Sequence, residues 1–68
     1  MKIEISSFDD MRCFENVNQV IFHDSDGETI YDDIECIQHS NHYTSITIVY
    51  GQGTSSFTDQ YIITKASQ

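Results

Sequence analysis

Six carboxylates fall within twelve positions of this chain, and their type and spacing are the first sign of chemistry in it. They are Asp24, Asp26, Glu28, Asp32, Asp33 and Glu35. No lysine or arginine occurs from residue 13 to residue 64, so no fixed positive charge in that stretch neutralises them. Like charges on one surface repel one another and destabilise a compact domain. We therefore interpret the segment as a binding surface, with a solvated hairpin that serves solubility as the alternative.

Carboxylates repeated along a strand imitate the charge pattern of a nucleic-acid backbone. Alternate residues on one strand face recur at about 6.6–6.8 Å, and Asp24, Asp26 and Glu28 share this parity. Such a surface fits the lysine- and arginine-lined groove of a protein that binds nucleic acid, and Tyr31 is a suitable anchor for arginine side chains. The predicted partner-binding residues are therefore Asp24, Asp26, Glu28, Tyr31, Asp32, Asp33 and Glu35.

The formal net charge of −8 restricts the partners of the whole chain. Phosphate backbones and anionic membranes repel such a protein, so we expect no direct binding to nucleic acid or to a membrane. Basic proteins attract it and accelerate encounter. The sequence contains no signal-peptide pattern and no apolar run long enough to cross a bilayer, so we expect a cytoplasmic protein with Cys13 and Cys36 as free thiols.

Soft metal ligands form a second candidate site at Cys36, His39 and His42, which are spaced three residues apart. Zinc requires about four ligands in a tetrahedral array, so Cys13 or His23 would have to complete the set. Residues three apart in a strand point to opposite faces. We therefore predict no metal and no cofactor, with Cys36 in the core and the histidines in a turn.

Residues 24–28 have a passing likeness to a calcium loop, but Gly27 follows the second acid instead of the third. The neighbours His23 and Asp24, and the pair Asp32 and Asp33, are the candidates for acid–base catalysis. Neighbours along a strand diverge in space, and the chain has no nucleophile motif or glycine-rich phosphate loop. The prediction is a protein that is not an enzyme.

The elements that position these residues are predicted mainly as strands, because β-branched and aromatic residues are common while alanine occurs once and leucine is absent. Apolar alternation and turn residues predict strands over 1–5, 17–23, 28–31, 34–39, 43–50 and 57–64. Serine before Asp9 and Asp10, with Phe8, Met11 and Phe14 at spacing three, predicts one short helix around residues 7–14.

The 68 residues are expected to form a single domain, mainly β with a minor helical part. We predict an antiparallel meander of five or six strands, as a curved sheet or a small barrel, with an open sheet covered by the helix as the alternative. A chain this short buries only about 60% of the surface that its unfolded form exposes. Open sheet edges favour self-pairing, so a homodimer is compatible with this fold.

In size and charge the chain resembles the small acidic inhibitors that phages and mobile elements encode against host nucleic-acid enzymes. The resemblance is one of composition, and it implies a non-enzymatic DNA mimic that occupies the basic groove of a host protein. Two alternatives stay open. One is a self-associating structural β-domain of a larger assembly, whose acids serve solubility, and the other is a metal-responsive module that uses Cys36, His39 and His42.

Overall fold

The computed structural model describes residues 1–40 and 42–68, which form two antiparallel sheets and one short helix. The three-stranded sheet has the order β2-β1-β7 and consists of β1 (Lys2–Ser6), β2 (Met11–Phe14) and β7 (Ile62–Ser67). The four-stranded sheet has the order β4-β3-β5-β6 and consists of β3 (Val17–Asp24), β4 (Gly27–Tyr31), β5 (Ser45–Tyr50) and β6 (Gly53–Thr58). The helix, α1, spans Ile34–His39. The mainly β class is confirmed, whereas the single meander or barrel does not match, because the strands divide between two sheets that do not close.

The apolar core lies between the two sheets and takes side chains from both. Alternation along β1 buries Ile3 and Ile5 while Lys2 and Glu4 face outward, as the sequence pattern predicted. Opposite them, the register places Val20 beside Ile48 and Phe22 beside Ile46 on the inner face of the four-stranded sheet. The fully or almost fully buried apolar residues are Ile3, Ile5, Val17, Val20, Phe22, Ile37, Ile46, Ile48 and Ala66.

Different elements close the two open sides between the sheets. On one side β2 lies against β6, where the rings of Phe14 and Phe57 are 5.7 Å apart. On the other side α1 packs on β7: Ile37 is buried, and Gln38 Nε2 donates a hydrogen bond to the carbonyl of Ala66 at 3.0 Å. The helix therefore covers the edge of β7, and β4 remains the terminal strand of its own sheet.

The predicted N-terminal helix around residues 7–14 is wrong. Residues 11–14 form β2, with Met11 opposite Ser6 and Phe14 opposite Ile3. Ser7 N–H donates to the carbonyl of Asp10 at 2.8 Å, so the segment between β1 and β2 is a tight turn. An isolated helix this short is marginal in water, whereas pairing with β1 satisfies the backbone and buries part of Phe14.

The strand predicted over 34–39 is also wrong, because these residues form α1. Asp33 is the N-cap, and its Oδ1 accepts a hydrogen bond from the backbone N–H of Cys36 at 2.7 Å. Ile34 and Ile37, three residues apart, both pack toward the core.

Among the described residues, no helix is both long enough and apolar enough to cross a membrane.

The strand predicted over 57–64 divides at a turn. Tyr61 N–H donates to the carbonyl of Thr58 at 3.1 Å, and Gln60 N–H donates to the Thr58 hydroxyl at 3.3 Å. The residues before the turn pair with β5, and those after it pair with β1. The other predicted strands, over 1–5, 17–23, 28–31 and 43–50, correspond to β1, β3, β4 and β5.

Candidate functional site: an acidic open sheet edge

The six predicted carboxylates surround β4, and we refer to them together as the acidic rim: Asp24, Asp26, Glu28, Asp32, Asp33 and Glu35. All six are exposed. Strand β4 has only five residues, and carboxylates precede it and follow it in the chain, so the rim extends past both ends of the strand. The first half of the rim lies at the β3–β4 turn, and the second half lies between the end of β4 and the first turn of α1.

The β3–β4 turn is held by its own first carboxylate. Asp24 Oδ1 accepts a hydrogen bond from the backbone N–H of Asp26 at 2.7 Å, which closes the turn locally. Gly27 follows with φ +138°, a backbone conformation that residues with a Cβ rarely adopt. Glycine in this position fixes the reversal, so the parity of Asp24, Asp26 and Glu28 does not produce one straight row of charges. Asp24 lies at the end of β3, and Glu28 lies on the neighbouring strand.

Glu28 and His23 are cross-strand neighbours on the outer face of the four-stranded sheet. His23 Nδ1 is 3.4 Å from Glu28 Oε2, and His23 Nε2 is 3.0 Å from the Thr47 hydroxyl. The pair becomes an ion pair only when the imidazole is protonated. The sequence neighbours His23 and Asp24 point to opposite faces of β3, so they form no acid–base pair.

Near the far end of β4, Tyr31 and Asp33 have structural contacts while Asp32 and Glu35 are exposed beside them. The half-buried Tyr31 ring lies 5.9 Å from the ring of Phe22, so only part of this predicted anchor is accessible. Asp33 caps α1, and the hydrogen bond from Cys36 N–H lowers the pKa of its carboxyl. Within residues 1–40 and 42–68, no hydrogen bond or salt bridge is found for the side chains of Asp26, Asp32 and Glu35.

All three fixed cations lie on the three-stranded sheet, away from the acidic rim. Lys2 Nζ is 3.7 Å from Glu15 Oε1, and Arg12 Nε is 3.3 Å from Asp10 Oδ2. Lys65 lies on β7 directly opposite Glu4 of β1. Because none of these pairs uses a rim carboxylate, the negative charge around β4 is not neutralised by lysine or arginine.

A surface cleft of about 370 Å³ lies beneath the inner face of β4, between this strand and α1. Its walls contain Phe22 and Asp24 from β3, Thr29 and Tyr31 from β4, Cys36 and His39 from α1, and Ser40 and His42 beyond the helix. The structure therefore brings the rim carboxylate Asp24 to the same cleft as the predicted soft ligands. The cleft is open to solvent.

The soft ligands are not arranged as a metal site. In the part of the chain that the structure describes, no group of three or more His, Cys, Asp or Glu side chains lies close enough together to hold a metal ion. Cys36 is exposed on α1, so its predicted place in the core is wrong. A side-chain hydrogen bond to Asp33, desolvation and the negative charges of the nearby carboxylates raise the pKa of the thiol, which disfavours a reactive thiolate. Cys13 is also a free, exposed thiol, on β2.

A network of tyrosines ties the loops at one end of the sandwich together, and sequence reasoning did not find it. Tyr43 Oη donates to the carbonyl of Tyr61 at 3.0 Å, and Tyr61 Oη donates to Asp10 Oδ2 at 2.6 Å. The hydrogen bond from Tyr61 is the main cause that lowers the pKa of Asp10. Burial and the nearby charge of Asp59 raise the pKa of Tyr43. Two further acids thus lie at this end, far from the rim in sequence.

The comparisons with known proteins identify no relative. No family model matches the sequence, and no match is found among curated proteins or among solved structures.

Proposed function

We propose that this protein is a non-enzymatic binding protein that presents its acidic rim to the basic groove of another protein. It would act as an inhibitor by occupying the place of a nucleic acid, in the manner of the small acidic proteins of phages and mobile elements. The observation that supports the proposal is the separation of charge: the three lysines and arginines lie on one sheet, and the rim surrounds the edge of the other. We place this activity in the cytoplasm, where Cys13 and Cys36 would stay reduced.

Electrostatics favours a cationic protein as the partner. Carboxylates without neutralising neighbours produce a negative field that steers a basic surface toward them and raises the association rate. The same field repels nucleic acids and anionic membranes. The side chains of Asp26, Asp32 and Glu35 contribute most directly, since they take part in no hydrogen bond or ion pair found among the described residues.

Affinity capture at low salt, from the cell type in which the protein acts, tests this proposal. The wild-type chain should recover a basic protein that binds nucleic acid, and duplex DNA should compete for the recovered protein. The double variant Asp26→Asn/Asp32→Asn should associate about threefold to tenfold more slowly with little change in dissociation.

The matched control is Glu4→Gln/Asp9→Asn, which removes the same charge from the three-stranded sheet and its loop. Its association rate should stay close to that of the wild-type chain. Equal slowing in both double variants would mean that overall charge, and not the rim, determines the association.

A self-associating β-domain is the second candidate, and exposed apolar side chains favour it. Met11 and Ile62 lie on either side of Ser6 on the outer face of the three-stranded sheet, with 61% and 56% of their surface exposed. Phe8, in the adjoining turn, is fully exposed. Sedimentation distinguishes the candidates: a stable oligomer that the double variant Met11→Ser/Ile62→Ser dissociates supports self-association, and a monomer supports the first proposal.

A further inference from the structure

The outer edge of β4 presents backbone groups that none of the described strands pairs with. Strand β4 is the terminal strand of the order β4-β3-β5-β6, and α1 packs on β7 instead of lying beside β4. In an antiparallel pair, opposite residues alternate between hydrogen-bonded and non-hydrogen-bonded positions. Counted from the Asp24–Gly27 pair that closes the two-residue turn, Glu28 and Ile30 direct their N–H and C=O groups away from β3.

The side chains along β4 give the two faces of this edge different chemistry. On the outer face Ile30 is 52% exposed and lies opposite Ile21, beside the carboxylate of Glu28. On the inner face Thr29 and Tyr31 border the open cleft beneath the sheet. A strand added next to β4 would therefore place alternate side chains on an apolar, acidic surface and in a cleft.

We propose that β4 accepts an extended, cationic peptide segment of the partner as an additional strand. This inference rests on the proposed function and specifies its partner as a protein with an exposed, lysine- or arginine-rich segment in extended conformation. Backbone hydrogen bonds to Glu28 and Ile30 hold the segment, and its alternate side chains provide the specificity. One cationic side chain enters the cleft toward Asp24, and apolar neighbours on the other face cover Ile30.

Charge selects a cationic segment over a second copy of this chain. If two β4 strands paired edge to edge, both acidic rims would be brought together, and like charges directly opposite each other are destabilising. Charged residues on an edge strand are a common means of preventing this self-pairing. A lysine- or arginine-rich strand instead meets a carboxylate beyond each end of β4, at Asp26 and Asp32.

The other sheet edges fit this occupant less well. The edge of β7 is covered by α1 through the contact between Gln38 and Ala66. The edge strand β2 contains Arg12, which repels a cationic segment, and β6 contains no charged residue. Only the β4 edge combines open backbone groups, an exposed isoleucine and neighbouring carboxylates among the described strands.

Titration of the full chain with a defined peptide, followed by NMR, tests the inference. The probe is an end-blocked peptide of alternating arginine and valine, of about seven residues, which is long enough to pair with all of β4. The control peptide has the same sequence and charge but carries methyl groups on its backbone amides, which removes its hydrogen-bond donors. The expected result is weakening by about tenfold on methylation, with slowed amide exchange at Glu28 and Ile30 when the unmethylated peptide is bound.

Two variants at Ile30 separate backbone pairing from side-chain contact. Ile30→Ala keeps the edge N–H and should weaken binding only a few-fold, whereas Ile30→Pro removes that N–H and should weaken it about tenfold or more. Proline is tolerated on an edge strand where the N–H faces outward, and thermal unfolding checks that each variant stays folded. If Ile30→Pro does not fold, the methylated peptide gives the same comparison on the wild-type chain.

The outcomes distinguish this inference from the proposed function. Equal binding of both peptides, with shifts spread over all exposed carboxylates, overturns strand addition and leaves the proposed recognition of a basic groove intact. Protection centred on β6 or β2 also overturns it. Failure of the unmethylated peptide to bind at low salt overturns the strand-addition inference, while the capture experiment with intact partner proteins still decides the proposed function separately.

Discussion

The two sheets share one core but carry their charges in opposite ways. The three-stranded sheet holds Lys2, Arg12 and Lys65, and each of them lies beside a carboxylate of the same sheet or its adjoining loops. The four-stranded sheet and α1 contain no lysine or arginine, and the acidic rim surrounds their open edge. The core requires only that apolar side chains alternate correctly on both sheets. The surface charge is under no such requirement, and we therefore take its separation as support for the proposed binding surface.

The largest expected effects come from the core, where the two sheets should behave alike. Ile5→Ala in the three-stranded sheet and Ile48→Ala in the four-stranded sheet each truncate a side chain with 0% exposure. Each should lower the free energy of unfolding by about 2–5 kcal/mol, as buried truncations do. Urea unfolding measures both values. The free energy of unfolding of a domain this small is itself only a few kcal/mol, so each loss would be a large fraction of it.

Exposed isoleucines provide the matched controls for these truncations. Ile62→Ala and Ile30→Ala, one on each sheet, should change the free energy of unfolding by no more than about 0.5 kcal/mol. If Ile48→Ala were strongly destabilising and Ile5→Ala neutral, the three-stranded sheet would not belong to the same cooperative unit.

A smaller effect should separate two adjacent acids of the rim that have different contacts. Asp33→Ala removes the cap of α1 and should lower the Tm by about 4–8 °C, because the N–H of Cys36 loses its acceptor. Asp32→Ala removes a carboxylate with no such contact among the described residues and should leave the Tm almost unchanged. Thermal unfolding followed by circular dichroism gives both values, and equal shifts would contradict the assignment of the cap to Asp33.

Acid should reduce the stabilisation that the Asp33 cap gives to α1, because protonation removes the charge of its carboxylate. The folded chain holds the pKa of Asp33 below its ordinary value of 3.8, so the stabilisation is present above that value and is lost as the pH falls through the folded pKa. Asp33→Asn caps the helix without titrating. The Tm difference between the wild-type chain and this variant should therefore change below about pH 4 and stay constant near neutral pH.

The smallest expected effect is on the free energy of unfolding when two carboxylates are neutralised, and it should differ between the two sheets. Asp26→Asn/Asp32→Asn relieves repulsion at the rim and should raise the free energy of unfolding at low salt by a few tenths of a kcal/mol. Glu4→Gln/Asp9→Asn removes a carboxylate that faces Lys65 and should not stabilise the chain. Salt should diminish the difference, and stabilisation of equal size in both variants would mean that repulsion is spread over the whole molecule.

Local patterns were sufficient where neighbouring residues decide the structure. The apolar alternation of β1, the Asp-Gly turn between β3 and β4, and the alternation of β5 all correspond to the structure. They could be predicted because each depends on side-chain parity or on a backbone conformation that one residue supplies. The elements of the wrong type lie at residues 7–14 and 34–39, where weak helix and strand signals compete, and the strand predicted over 57–64 missed the turn that divides it.

Residues 34–39 contain a signal for the helix that they form, whereas residues 11–14 became a strand for a tertiary reason. Ile34 and Ile37 have helical spacing after Asp33, a capping residue, although strand propensity elsewhere in the chain favoured extension. Residues 11–14 became a strand because β1 offered an edge to pair with. Isolated propensity does not report the presence of such a partner, because tertiary context overrides it.

The sequence alone determined the β-rich composition, the acidic character and the placement of six carboxylates within twelve positions, because these are properties of residue types and their order. Only the tertiary structure decided that the strands divide between two sheets, that α1 covers β7, and that β4 keeps an open edge with Ile30 exposed. Strand pairing joins residues that are distant along the chain, so the edge that remains unpaired is known only when every other strand has its neighbours.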